Sequence, residues 1–435
     1  MPLKTTQGNI SDLKEGIPWS TIPKTFQDAI TIVRQLGEKY IWIDSLCIIQ
    51  DDLDDWYRES AKMSQIYQNS YLTIAATKSK DSNGGCYSDQ DVRCNSKPIC
   101  ALDKDGDPFT IYCRQKLPHW GSGSQHVRDI IARQDEFPLL MRAWVYQERF
   151  LSPRVLHFGS QELIWECMEA AYCECGSFDS YRSGEKPKMS HAYASRGADR
   201  IFWNMIMEYS ALKLTKPSDR LPAFSGLAKQ IQALNGDTYI AGLWKTSFIN
   251  DLQWRCHFPE EAKRSLDQGV PTWSWASMDC YLFGPASNHE ELLVSVYNVE
   301  VSPLSDDPFG RVASGFLVIG GPVISARLKY FPPQERSRSR YALVPESCRQ
   351  EVVVEFPDYD YSSPGPEFIG DGELLYCLKL HNRFSLVLRC VDEDSSTFKR
   401  VGAAENNLWR EYIKWVCVPA KNMYLGARER KLTII

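Results

Sequence analysis

A carboxylate that directly follows a buried apolar run is placed to meet a ligand, and Asp44, after Tyr40-Ile41-Trp42-Ile43, is such a residue. Open α/β sheets bind ligands at the carboxyl ends of their strands; capping the Ser45-Leu46 turn is the alternative use of this aspartate. Further along, Trp144 and Glu148 stand four apart in LLMRAWVYQER, and a helix puts both side chains on one face. The structural alternative makes Trp144 core and pairs Glu148 with Arg142 or Arg149 on a solvated face. Arg142 has a second use, because a guanidinium grips a diphosphate bidentately. Cys167, Cys173 and Cys175 in WECMEAAYCECG are the dense group of thiols. Thiolates can hold zinc, but this spacing lacks paired C-x2-C knuckles, so structural thiols and no bound metal are expected. His157 reads as a satisfied core or edge histidine, and Trp42 and Cys47 as core. No G-x-G-x-x-G follows a strand, and G-x-x-x-x-G-K-[ST], H-E-x-x-H and G-x-S-x-G are absent.

These residues need elements to hold them. After Pro23, Thr25 can cap a helix whose apolar positions Phe26, Ala29, Ile30 and Val33 recur at helical spacing up to Gly37. Tyr40–Asp44 then reads as a buried strand. The acidic run Asp51, Asp52, Asp54 and Asp55 suits the positive end of a helix dipole and predicts a helix through Trp56, Met63, Ile66 and Tyr67. Glu59 and Lys62 fall on its surface face. Tyr71–Ala76 is a second buried strand, and 77–138 is a long polar excursion. A helix from Leu139 stops at Ser152-Pro153, and Arg154–Phe158 and Glu162–Cys167 are strands. Residues 174–198 read as a boundary, followed by a helix around Ile201–Leu212. Beyond Gly284, short alternating stretches, among them Glu291–Val301, Gly315–Val323, Glu351–Phe356, Leu374–Leu380, Phe384–Cys390 and Ile413–Val418, predict a β-rich module. In Pro271-Thr-Trp273-Ser-Trp275, alternation of Trp with small residues predicts a strand burying one aromatic face.

The chain has 435 residues, 43 % hydrophobic and 24 % charged, which implies a folded protein of two to three domains. Fifty Lys and Arg against 55 Asp and Glu leave a formal charge of −5, with no general attraction to nucleic acid or an anionic membrane. The basic pieces Arg336-Ser-Arg338-Ser-Arg340 and Arg428-Glu-Arg430-Lys431 are local and read as a solvated loop and tail. Apolar runs are too short to span a bilayer, and MPLKTTQGN has no signal-peptide core. Fourteen cysteines without a disulfide-scaffold spacing fit a reducing, cytoplasmic compartment.

IPKTFQDAITIVRQLGEKYIWIDSLCIIQDDLDDWYRESAKMSQIYQNSYLTIAA, then MRAWVYQERFLSPRVLHFG and LIWEC, resemble the heterokaryon incompatibility (HET) domain of filamentous fungi. SDRLPAFSGLA, YIAGLW and PTWSWAS extend the resemblance to about residue 280. The family's usual opening strand, roughly L-S-Y-x-W-G, lies upstream of a segment like Leu3-Lys4-Thr5-Thr6, so the sheet is expected to lack that strand.

The resemblance implies an α/β, TIR-like (flavodoxin-like) parallel sheet in residues 1–175, with the insertion at about 77–138. A helical connector with the Trp-rich motif (176–284) and a β-rich C-terminal module (285–435) would follow. It further implies a role in nonself recognition and regulated cell death. Some TIR domains cleave the nicotinamide glycosidic bond of NAD with a glutamate in a W-x-x-x-E pattern, which Trp144 and Glu148 match. By this resemblance Glu148 is catalytic, NAD is a substrate and no cofactor is needed; Trp144 beside it, with Asp44 and Arg142 from their own chemistry, are the expected substrate-binding residues. Such a site would gain activity in a homo-oligomer or with an activating partner. A noncatalytic interaction module, or the same fold recruited to metabolic chemistry, are the alternatives.

Overall fold

The computed structural model describes residues 3–89, 91–120, 131–132, 134–176, 198–265, 269–285, 290–331, 340–346, 352–353, 356–405, 424 and 426–435. These divide into two compact units, residues 1–197 with 212–214, and residues 198–211 with 215–435. No helix among the described residues is long and apolar enough to cross a membrane.

The first unit is mixed α/β. Its helices are α1 (Ile10–Glu15), α2 (Lys24–Gln35), the single turn α3 (Asp44–Cys47), α4 (Leu53–Gln68) and α5 (Ala143–Leu151). Its strands are β1 (Thr73–Ala75), β2 (Lys97–Leu102), β3 (Pro108–Cys113), β4 (Arg154–Phe158), β5 (Leu163–Cys167) and β6 (Ala171–Cys173). The main sheet has the order β1-β4-β5-β6. β1 runs parallel to β4, with Ile74 opposite Leu156, whereas β4–β5 and β5–β6 are antiparallel. The sheet is therefore mixed where a parallel one was expected.

The two-residue period of the strands sends Leu156, Phe158 and Leu163 to one face and Val155, His157, Ile164 and Glu166 to the other. Ile32 of α2, Ala76 and Cys86 pack with the first set. Ile164, Ala171 and Val145 pack with Trp120, Phe137, Leu140 and Met141 on the second. The polar excursion between β1 and α5 carries the exposed antiparallel hairpin β2–β3.

Three local expectations change. Tyr40–Ile43 is not a buried strand: Tyr40 is 90 % and Ile41 38 % exposed, and Asp44 starts α3. A strand requires a ladder partner for its backbone groups, and among the described residues nothing pairs with this segment. Cys47 is accordingly exposed, and Trp42 is half-buried, its ring edge-on to Tyr67 at 5.6 Å. Thr25 does not cap α2, because Pro23 occupies the cap position. The Thr25 hydroxyl instead accepts the Gly85 N–H at 3.0 Å, tying α2 to the loop after β1. Finally, the expected helix from Leu139 is split into a 3-10 turn, Pro138–Met141, and α5. Lys213 causes the break: its N–H donates to the Met141 carbonyl (2.7 Å) and its carbonyl accepts the Ala143 N–H (3.0 Å), holding Arg142 extended.

In the second unit, Phe202 and Tyr209 of helix Ala198–Ser210 and Phe224 of helix Pro222–Asn235 pack against fully buried Trp244 and Trp275, and Trp254 and Trp273 are fully buried too. Both Trp273 and Trp275 are buried as expected, but not in a strand: Trp275 starts a 3-10 turn, Trp275–Ser277, capped by the Ser274 hydroxyl, and Trp273 stands just before the cap. The long strand Val312–Tyr330 pairs with Ser295–Pro303, Tyr341–Pro345, Leu374–His381 and Arg428–Ile434. From Leu374–His381 the ladder continues through Phe384–Asp392 to Thr397–Glu405, which returns to Arg428–Ile434 in parallel and closes a ring of five strands. The basic segment at Arg428 is thus a strand, its cations exposed and the following Leu432 and Ile434 buried, and not a tail. The expected strand at 413–418 and most of the 336–340 basic loop lie outside the described residues.

Candidate active site

The site forms where α4 and α5 pack. Asp52 caps α4 by accepting the Asp55 N–H at 3.0 Å, which lets the acidic run start the helix as its charge pattern predicts. The 16-residue α4 carries Trp56 near its start and Tyr67 near its end. On α5, one face presents Trp144 and Glu148, a turn apart. The Trp144 ring meets Trp56 edge-on at 6.4 Å and an interplanar angle of 88°, fixing how the helices cross. Tyr67 hydrogen-bonds to the Glu148 carboxylate.

Asp44 enters from α3, whose turn it also organises by accepting the Ser45 N–H at 2.7 Å. This is the turn-capping use weighed from the sequence. Arg142, exposed, stands immediately before α5.

Electrostatics join these residues. Burial is the main cause that raises the Glu148 carboxyl from its ordinary 4.5 to about 7, and the negative charge of Asp44 adds to it. Arg142 and the Tyr67 hydrogen bond oppose the rise. Burial also holds the Tyr67 phenol well above its ordinary value, with Glu148 and Asp44 contributing. Glu148 thus has one flanking guanidinium, one phenol and a second carboxylate acting on it. Such a carboxyl exchanges its proton near neutrality. When ionised it can stabilise a developing cation, while Arg142 offers a fork to phosphate oxygens.

Of the four residues singled out from the sequence, Asp44 and Arg142 both act on Glu148, and Trp144 stands on the helix that carries it. Tyr67 had been read only as part of the apolar stripe of α4; its signal was the hydroxyl, which needs a partner when buried.

Arg149 is not the partner of Glu148. Its guanidinium grips Glu166 bidentately, Nε to Oε2 at 2.7 Å and Nη2 to Oε1 at 2.8 Å, with both side chains buried. His157, fully buried, lies 2.9 Å through Nδ1 from the Thr77 hydroxyl and 3.3 Å through Nε2 from Glu166, the satisfied core histidine expected. The Glu59–Lys62 pair (2.8 Å) is on the surface, as expected.

A second group of side chains gathers at the far end of the β5–β6 hairpin. His119, Glu162, Cys173 and Cys175 bring one donor atom each to within 4.8 Å of one another, and Cys167 is not among them.

Residues 3–148 match the family model of the heterokaryon incompatibility protein (HET). No curated protein and no solved structure matches the chain.

Proposed function

From the HET domain that this chain carries over residues 3–148, we propose a heterokaryon-incompatibility role executed by cleavage of NAD. In this reading the first unit is a TIR-like domain and the output is nonself recognition leading to regulated cell death, in the cytoplasm. Self-association or an activating protein switches it on. The observation that carries the chemistry is the Glu148 carboxyl, raised to about 7 between Asp44, Arg142 and Tyr67.

Nicotinamide is a good leaving group, so the C–N bond breaks with its electron pair going to the departing ring. The ribosyl carbon becomes oxocarbenium-like. Ionised Glu148 opposes that positive charge, and water captures the cation, releasing ADP-ribose and a proton. Arg142 grips the diphosphate, Trp144 offers an aromatic wall, and Asp44 adds to the rise in the proton affinity of Glu148 that burial causes. No cofactor takes part.

The test is NAD content in cells expressing the chain, with and without enforced clustering, against Glu148→Gln at equal abundance. Loss of NAD that disappears in the variant is the expected result. Equal loss in both removes Glu148 from catalysis. No loss under clustering transfers the role to the alternative, a domain that signals by binding.

A further inference from the structure

We propose that His119, Glu162, Cys173 and Cys175 form a structural zinc site that clasps the β5–β6 hairpin to the segment between β3 and α5. The inference is independent of the NAD reading. The chain must double back twice to build this group. β5 and β6 pair antiparallel with Ile164 opposite Cys173, which leaves Cys173 at the strand end and on the face of buried Ala171. Gly176 adopts the left-handed conformation (φ +70°) and its N–H bonds the Cys173 carbonyl at 3.0 Å, closing a tight turn around Cys175. That turn brings the two sulfurs to 3.3 Å, well beyond a disulfide bond.

Glu162, just before β5, orients the same turn: its Oε2 accepts the Cys175 N–H at 2.8 Å. Its other oxygen, Oε1, is buried and lies 2.8 Å from His119 Nε2 at ion-pair distance. His119 Nε2 is also 3.5 Å from Cys175 Sγ. Both side chains are largely buried, at 13 % and 6 % exposure.

Tetrahedral zinc with bonds of about 2.0–2.3 Å to nitrogen, oxygen and sulfur separates its ligand atoms by roughly 3.3–3.8 Å. The observed separations, from 2.8 Å up to the 4.8 Å limit, bracket that range. The donors are also chemically suited: two thiolates and a carboxylate bring three negative charges to a divalent cation, and an imidazole completes four ligands. Four protein ligands close the coordination sphere, which is the pattern of a structural site.

The site has something to hold. Trp120, next to His119, is buried against Phe137 (5.2 Å) and under the Arg149 guanidinium (5.3 Å). Fixing the loop at His119 fixes that tryptophan against α5.

The test uses the full chain purified in reductant from zinc-supplemented cells. About one zinc per chain is expected, released by a thiol-modifying reagent. At least roughly tenfold less is expected in the Cys173→Ser, Cys175→Ser double variant and in His119→Ala. Because a ligand variant can fail to fold, wild-type chain stripped of metal is titrated with Co2+. Thiolate charge transfer and the strong visible bands of four-coordinate cobalt are expected. Wild type without stoichiometric zinc, variants with undiminished zinc, a pale six-coordinate cobalt spectrum, or a Cys173–Cys175 disulfide in the fresh protein would each overturn the proposal.

Discussion

Two clusters of charge, one in each unit, answer burial in opposite ways. In the second unit Arg400 and Asp358 are both fully buried. Four hydrogen bonds leave that guanidinium: Nε and Nη2 donate to Asp358 at 3.2 Å, and Nη1 and Nη2 donate to the Leu252 and Trp254 carbonyls at 2.7 and 2.6 Å. The Trp254 ring lies 3.3 Å beneath it, and Arg264 adds a second guanidinium 3.3 Å from Asp358. In the first unit Glu148 has a phenol, one flanking cation and a second carboxylate. The first arrangement satisfies its charges and locks three segments together. The second leaves a carboxyl near its point of neutrality, the condition in which a group has work left to do on a substrate. The contrast also holds between neighbours on α5, since Arg149 is fully engaged by Glu166 where Glu148 is not.

The largest effect should come from breaking the satisfied cluster. Asp358→Asn strips the carboxylate from two buried guanidiniums and is expected to cost the chain about 3–5 kcal/mol of stability. Denaturant unfolding followed by tryptophan fluorescence reads it, because Trp254 stacks on Arg400. A change below about 1 kcal/mol would mean that solvent reaches the pair, and the contrast with Glu148 would fail.

Glu148→Gln is expected to do the reverse. The folded chain holds this carboxyl at about 7 against an ordinary 4.5, so folding favours the protonated form. The cost of the charge is absent below about 4.5, grows as pH rises to about 7, and is constant above. The glutamine variant, which still accepts from Tyr67, should be more stable than wild type by roughly 1–3 kcal/mol at pH 8 and equal to it at pH 4. A variant that is less stable at pH 8 would make Glu148 a structural residue.

How far the sequence reveals this depends on how local each determinant is. The Trp144–Glu148 spacing and the start of α4 at Asp52 are visible because helix geometry and capping act over four residues or fewer. Tyr40–Ile43 has the composition of a strand, yet a strand exists only through a partner, and that information is not in the segment. The break at Arg142 is imposed by Lys213, a residue with no local signature. His119 and Glu162 stand in unrelated stretches, so the cysteines alone, at a spacing without zinc knuckles, concealed the set of four. Asp358 and Arg400 are likewise joined only by the sheet that brings their strands together.

The smallest predicted effect tests whether the unsatisfied cluster is coupled as its geometry implies. Asp44→Asn removes the like charge that adds to the rise of the Glu148 carboxyl, while burial, the larger cause, remains. The inflection should therefore move down from about 7, by roughly one pH unit or less, and not return to 4.5. Arg142→Met removes the opposing cation and should move it up. Carbon-13 NMR of the Glu148 carboxyl follows both titrations without needing any activity. If the two variants shift in the same direction, or neither shifts, Asp44 and Arg142 do not face Glu148 closely enough to share a substrate with it. Opposite shifts would instead mark the three residues as one electrostatic unit, which the second unit's cluster, with its charges already neutralised, is built never to be.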